Sequence, residues 1–161
     1  MEIRNTRIDE LDEVMEIYAR ARGFMAGHGN PTQWGNHFPP REMIEKDIEE
    51  QKSYVCVEED KIAAVFYFAI EEDPVYKEIF EGAWKNKKQY AVVHRIASAG
   101  TVKGAGSFCL KWAAEQYDNV KIDTHKDNVV MQGTLKKCGY EYCGVVYLED
   151  GSERIAYQKV S

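Results

Sequence analysis

The sequence predicts an α/β protein with one mixed sheet covered by helices, its elements in the order β-α-α-β-β-β-α-β-α-β-β. Two observations carry this. Apolar residues switch repeatedly between strand-like alternation and helical spacing along the chain. No repeat or linker divides the 161 residues, a length that suits one domain spanning 1–161.

Glu2 to Thr6 reads as an opening strand. Asp9 is placed to cap a helix, because Leu11, Val14, Met15 and Tyr18 share one face, and that helix is expected to run to about Arg22. Gly23 to His37 reads as a loop carrying His28, Gln33, Trp34 and His37. Pro39-Pro40 starts a second helix with Met43, Ile44 and Ile48 inward. Ser53 to Val57 and Lys61 to Ile70 are strands, and the weak alternation of the second predicts burial of both its faces. Glu71 to Gln89 is a long connection expected to hold a short helix. Tyr90 to Ser98 is the fourth strand, with His94 and Arg95 at its middle.

A helix follows at about Gly104, with Ala105, Phe108, Cys109, Trp112 and Ala113 on one face. In the strand Val120 to His125, Val120, Ile122 and Thr124 point one way and Lys121, Asp123 and His125 the other. Asn128 to Cys138 is helical, with Gly139 as its C-terminal cap. Tyr140 to Leu148 and Glu153 to Lys159 are strands joined through Asp150-Gly151, a strong hairpin signal.

Composition narrows the function. Lys+Arg is 21 against 27 Asp+Glu, a net charge of −6, which argues against a general nucleic-acid binder. The one basic cluster, Lys85, Lys87 and Lys88, is too short to reverse this. The longest apolar run, Ile62 to Ile70, is far below the ~20 residues of a membrane helix. Met1 to Val14 is too charged for a secretory leader. A cytoplasmic protein is therefore expected, with Cys56, Cys109, Cys138 and Cys143 as buried free thiols. The four histidines are scattered, so no metal site is expected.

The most informative stretch is Ile96-Ala97-Ser98-Ala99-Gly100-Thr101-Val102-Lys103-Gly104-Ala105-Gly106-Ser107. A strand runs into a glycine-containing turn and then a helix start, which offers unpaired N–H groups and a positive dipole end. This suits a phosphate or pyrophosphate. The P-loop pattern fails, because Gly106 is followed by Ser107 and Phe108. The dinucleotide pattern G-x-G-x-x-G meets Cys109 in its third place, and the turn follows the fourth strand instead of opening the domain.

Strand order and turn together resemble the GNAT superfamily of acyl-CoA-dependent N-acetyltransferases, whose loop is written Q/R-x-x-G-x-G/A. Thr101-Val102-Lys103-Gly104-Ala105-Gly106 matches except that Thr101 stands where Gln or Arg is usual. Asn128 with Lys137-Cys138-Gly139-Tyr140 resembles the family's N-x(8)-K-x-G-F segment, and the likeness spans nearly the whole chain. The resemblance implies acetyl-CoA as cosubstrate, with CoA as product. Backbone at Ile96 and Ser98 would pair with the pantetheine arm. N–H groups of Val102, Lys103, Gly104, Ala105, Gly106 and Ser107 would hold the pyrophosphate, and Asn128 would also contact the cofactor. The arm would lie where the fourth and fifth strands splay, and an N–H near Ile96 would polarise the thioester carbonyl.

The implied reaction is direct attack of a primary amine, on a small molecule or peptide, in a ternary complex; a homodimer is an allowed assembly. Attack needs a neutral amine, a donor for the oxyanion and a proton for the thiolate. His94 and His125 are the candidate bases, since imidazole titrates near neutral pH. Where relatives carry an acid tyrosine this chain has Leu135, leaving Tyr140, Cys138 or water as substitutes. Trp34, Tyr76 and Trp84 are candidates to hold a cationic amine by cation–π contact. Two rivals stand beside this reading: a GNAT-fold domain that senses acyl-CoA without turnover, and a nicotinamide-dependent enzyme.

Overall fold

The computed structural model describes residues 1–161 as seven strands in one sheet. They are β1 Glu2–Asn5, β2 Ser53–Glu58, β3 Lys61–Ile70, β4 Ala91–Ser98, β5 Asn119–Thr124, β6 Glu141–Tyr147 and β7 Glu153–Val160. The order is β1-β2-β3-β4-β5-β7-β6, and β4–β5 is the one parallel pair. Four helices cover it: α1 Leu11–Gly27, α2 Arg41–Glu49, α3 Ala105–Gln116 and α4 Val129–Lys137. The mixed α/β class and the element order are those the sequence predicts. The middle eight residues of β3 are buried, as its unbroken apolar run requires for a strand covered on both faces.

Side-chain alternation divides the core. Cys56, Ala64, Phe66, Ala91, Val93, Val120 and Ile122 face α3 and α4, packing on Cys109, Leu110, Ala113 and Leu135. Val55 and Val65 face the other way, against Val14, Tyr18, Ile44 and Ile48 of α1 and α2. Further along that second face, Tyr67, Val92 and Ala156 pack under Tyr76, from the connection between β3 and β4. That connection holds a short 3-10 turn at Pro74–Lys77. All four cysteines are buried and unpaired.

Local signals fix both ends of α4. The Asn128 side chain accepts from the Met131 N–H at 3.0 Å and so caps α4. At its other end Gly139 adopts φ 85°, the Gly139 N–H bonds Lys136 and the Tyr140 N–H bonds Leu135, a Schellman closure. Two expectations are corrected. Asp9 does not cap α1: Ile8–Glu10 form a 3-10 turn, and Glu10 takes the Arg7 N–H at 2.8 Å while pairing with Arg4 at 2.7 Å. Helix α1 also runs five residues past Arg22, through Gly23 to Gly27, because no proline stops it and its outer face is solvated.

One feature of β4 has no glycine to announce it. Between the pairs Val65–Ala97 and Tyr67–His94, β3 advances two residues and β4 three, so β4 carries a bulge. Arg95 occupies it at φ 51°. The conformation is uncommon for a side-chain-bearing residue, and the neighbours hold it. Arg95 grips Asp47 of α2 through two hydrogen bonds of 3.0 Å and lies 4.5 Å from the Tyr67 ring centroid. Burial pushes the Asp47 carboxyl above its ordinary value, even with the arginine beside it. Removing the arginine therefore strands a buried acid. Arg95→Met should cost about 3 kcal/mol in urea unfolding, and adding Asp47→Leu should recover much of that loss. A loss under ~1 kcal/mol, or strictly additive losses, would show the pair to be incidental.

Candidate functional site

Strands β4 and β5 are paired at two positions only, Ala91–Val120 and Val92–Lys121. Beyond them the strands part, and the bulge at Arg95 carries β4 away toward α2. The opening is a cleft of about 860 Å³. Val93, His94, Arg95 and Ile96 line one wall, and Ile122, Asp123 and Thr124 the other. Trp34 and Gln33 roof it from the loop after α1, and Leu148 to Asp150 close it from the β6–β7 hairpin.

The glycine turn lies past the end of β4. Gly104 at φ 84° turns the chain into α3. None of the seven backbone N–H groups from Thr101 to Ser107 donates to any protein acceptor. A Cβ built on Gly104 or Gly106 meets no atom within 4 Å. The N-terminus of α3 thus presents free donors, a positive dipole end and open space over two glycines. These residues fit the pyrophosphate of a CoA thioester.

The neighbouring expectations fare differently. Ile96 lines the cleft, but the Ser98 carbonyl takes Arg20 at 3.3 Å and its hydroxyl accepts the Gly100 N–H at 3.0 Å. Asn128 also lines the cleft, yet its oxygen caps α4 and its amide donates to Gln33 at 3.1 Å. In this way it ties the loop to α4. Gln33 extends that tie, its carbonyl accepting from Arg154 at 3.1 Å.

His94 faces the cleft with Nε2 2.9 Å from Asp73 Oδ2. In the neutral ring this places the proton on Nε2 and leaves Nδ1 as an acceptor. Asp73 is itself fixed: Oδ1 accepts the Val75 N–H at 2.9 Å, and the Asp73 N–H donates to Tyr90 Oη at 2.9 Å. Burial pushes the Asp73 carboxyl up, but the bonds from His94 and Val75 more than offset this and hold it below its ordinary value. Deeper in the same face, Tyr76 Oη donates to Asp123 Oδ2 at 2.6 Å. There burial wins, and Asp123 sits above the ordinary carboxylate value despite His94, Tyr76 and Arg154. Counting charges around the cleft gives six carboxylates, at Glu71, Glu72, Asp73, Asp123, Glu149 and Asp150, against Arg95 and Arg154.

Four candidates lose their expected roles. His125 lies just past β5, with Nδ1 accepting the Asp127 N–H at 3.0 Å and Nε2 3.2 Å from Thr32 Oγ1. Burial and Arg154 lower its pKa. It is a neutral ring with both nitrogens used, pinning the loop after α1. Tyr140 is 1% exposed and donates to the Leu110 carbonyl at 2.8 Å, so it is a core residue with no path to substrate. Tyr76 lies beneath the cleft, 2% exposed. Trp84 donates to the Tyr76 carbonyl at 2.9 Å and its ring already carries a cation, Lys121, 4.1 Å from the centroid. Trp34 remains a lining residue, packed edge-on against Tyr18 at 5.8 Å. The Asp73–His94 pair, 21 residues apart across an irregular connection, carried no sequence signal.

Comparison with known proteins then places the chain. A solved GNAT-family acetyltransferase from Streptococcus agalactiae is 32% identical, with a TM-score of 0.91 over 99% of this chain and 95% of that one. A GNAT-family acetyltransferase from Bacillus cereus shares the fold at 18% identity, with a TM-score of 0.65 over 99% and 96%. So does yncA from Salmonella typhimurium, solved with its cofactor acetyl-CoA, at 11% identity and 0.66 over 99% and 92%. No family model and no curated protein matches. Cleft, glycine turn and sheet order define an acetyltransferase fold. The chain belongs to the GNAT family of acetyltransferases.

Tyr140→Phe should lower stability by about 1 kcal/mol, since it removes one neutral hydrogen bond, and leave cleft binding untouched; weakened binding would return Tyr140 to the site. Asp73, with its lowered pKa, contributes stability fully above the ordinary value of 3.8 and loses it as pH falls through the lower folded value. The Tm deficit of Asp73→Asn should therefore be largest near neutral pH and shrink below about pH 4. A deficit that grows toward acid would contradict the assignment.

Proposed function

We propose that the protein transfers an acetyl group from acetyl-CoA to a primary amine by direct attack in a ternary complex. The single observation that carries this is the run of free N–H groups from Thr101 to Ser107, opening beside a gap between two parted strands. When bound, acetyl-CoA would supply the activated acetyl group. Val102 to Ser107 would hold its pyrophosphate, with no lysine required, which is why a net charge of −6 is no obstacle.

The remaining chemistry falls to this chain's own residues. His94 Nδ1 takes the proton from the acceptor amine, and Asp73 steadies the imidazolium that results. The Ile96 N–H, past the bulge, is the proposed donor to the developing oxyanion. Leu135 is fully buried and Tyr140 is bonded into the core, so the thiolate takes its proton from water. The acidic cleft favours a cationic acceptor, with Trp34 at its wall. The lack of a side-chain acid also supports a second reading, an acyl-CoA sensor without turnover.

Acetyl-CoA, but not NAD, should raise the Tm. Stabilisation by NAD alone would overturn the proposal. The Cβ that Gly106→Leu adds meets open space, so the fold should persist while the Kd for acetyl-CoA rises at least about tenfold. With an amine panel and thiol release as readout, His94→Ala should lower kcat by ~10²-fold or more with KM little changed. Acceptor KM should rise with salt. Tight acetyl-CoA binding with no acceptor found would favour the sensor.

A further inference from the structure

A second cavity, of about 310 Å³, opens on the sheet face opposite α3 and α4. It is lined by Glu71, Glu72, Lys87, Lys88, Gln89, Tyr90 and Lys121. At its floor Lys121 is 4% exposed, yet its ammonium makes neither a hydrogen bond nor an ion pair. What it has instead is two ring faces, with Nζ 4.1 Å from the Trp84 centroid and 3.9 Å from that of Tyr90. Cation–π contact offsets part of the burial cost but satisfies none of the three N–H donors.

The other unspent groups around this cavity are also donors. Tyr90 Oη accepts from the Asp73 N–H and has no acceptor for its own proton. Gln89 has spent its oxygen on Tyr117, which leaves its amide N–H₂ free. The exposed Lys87 and Lys88 pair with no acid. Of the two carboxylates, Glu71 is consumed, Oε1 by Lys52 at 2.9 Å and Oε2 by Tyr67 at 2.7 Å. Only the exposed Glu72 is free, so three lysines face one uncommitted acid in a protein that is acidic as a whole. Lysines 87 and 88 belong to the one basic cluster in the sequence, for which the acetyl-transfer site has no use.

We propose that this cavity binds a small oxyanion, the phosphate or carboxylate group of a metabolite, which accepts from Lys121 and Tyr90 at the floor and from Lys87, Lys88 and Gln89 at the rim. Charge-assisted bonds to such an anion would occupy the donors that the Lys121 ammonium points into the cavity. Burial pushes the Lys121 pKa down to about 8, with Cys143 and Glu72 opposing.

The test is an NMR titration of the full chain, following the Lys121 ε-CH₂ signal, at constant ionic strength balanced with chloride. Inorganic phosphate is one arm and malonate the other; the arm that saturates identifies the group. Lys121→Met keeps an apolar stem between the rings and removes the charge, so its binding, followed on backbone amides, should weaken about tenfold or more. Saturation in neither arm overturns the proposal. So does equal affinity in Lys121→Met, since that places the anion at the glycine turn or elsewhere. If Lys121→Met does not fold, the exposed double variant Lys87→Ala/Lys88→Ala decides, and unchanged affinity there overturns the proposal.

Discussion

Strands β4 and β5 run parallel in one sheet but hold each other at only two residue pairs. A closed sheet at that point would have no site. The parting depends on the bulge, and the bulge depends on Arg95 being held at φ 51° by Asp47 and Tyr67. One guanidinium thus joins α2 to the wall of the cleft. Because bulge and cleft wall are the same backbone, His94 and Ile96 reach the opening from either side of the arginine. The ion pair is a positioning device more than a source of net stability, since taking a half-buried guanidinium and a buried carboxylate out of water costs nearly as much as their attraction returns.

Around this opening the two faces of the sheet do different jobs. The α3–α4 face supplies dry packing and, at the turn before α3, a row of free N–H groups. The opposite face carries the ionisable groups: His94 on Asp73, Asp123 under Tyr76, and the Lys121 cage beyond them. Alternation along β5 makes this division, sending Val120 and Ile122 one way and Lys121 and Asp123 the other. The connection Glu71 to Gln89 is what makes the second face usable. It brings Asp73 to His94, Tyr76 to Asp123 and Trp84 to Lys121.

What the sequence made legible was whatever local chemistry determines. The order of elements followed from periodicity, the ends of α4 from Asn128 and Gly139, and the cradle from Gly104 and Gly106 before a helix. What it hid depends on contacts far apart in the chain. Asp73 stood in a long connection that read only as holding a short helix, and the folding of that irregular connection is what brings it to His94. His125 and Tyr140 looked available because sequence shows a residue type and its strand end, not the partners that occupy it. The bulge was unreadable for another reason. A left-handed position usually announces itself with glycine, and here an ion pair holds an arginine there instead.

The free backbone donors at the glycine turn, beside parted strands, are the groups proposed to hold a CoA thioester. Hydrogen exchange on the intact protein, with and without acetyl-CoA, reads those donors one by one. New protection is expected for the amides from Val102 to Ser107 and at Ile96, with the amides of β1 and β2 unchanged. Protection that leaves the turn as it was, or appears on other elements only, would contradict it.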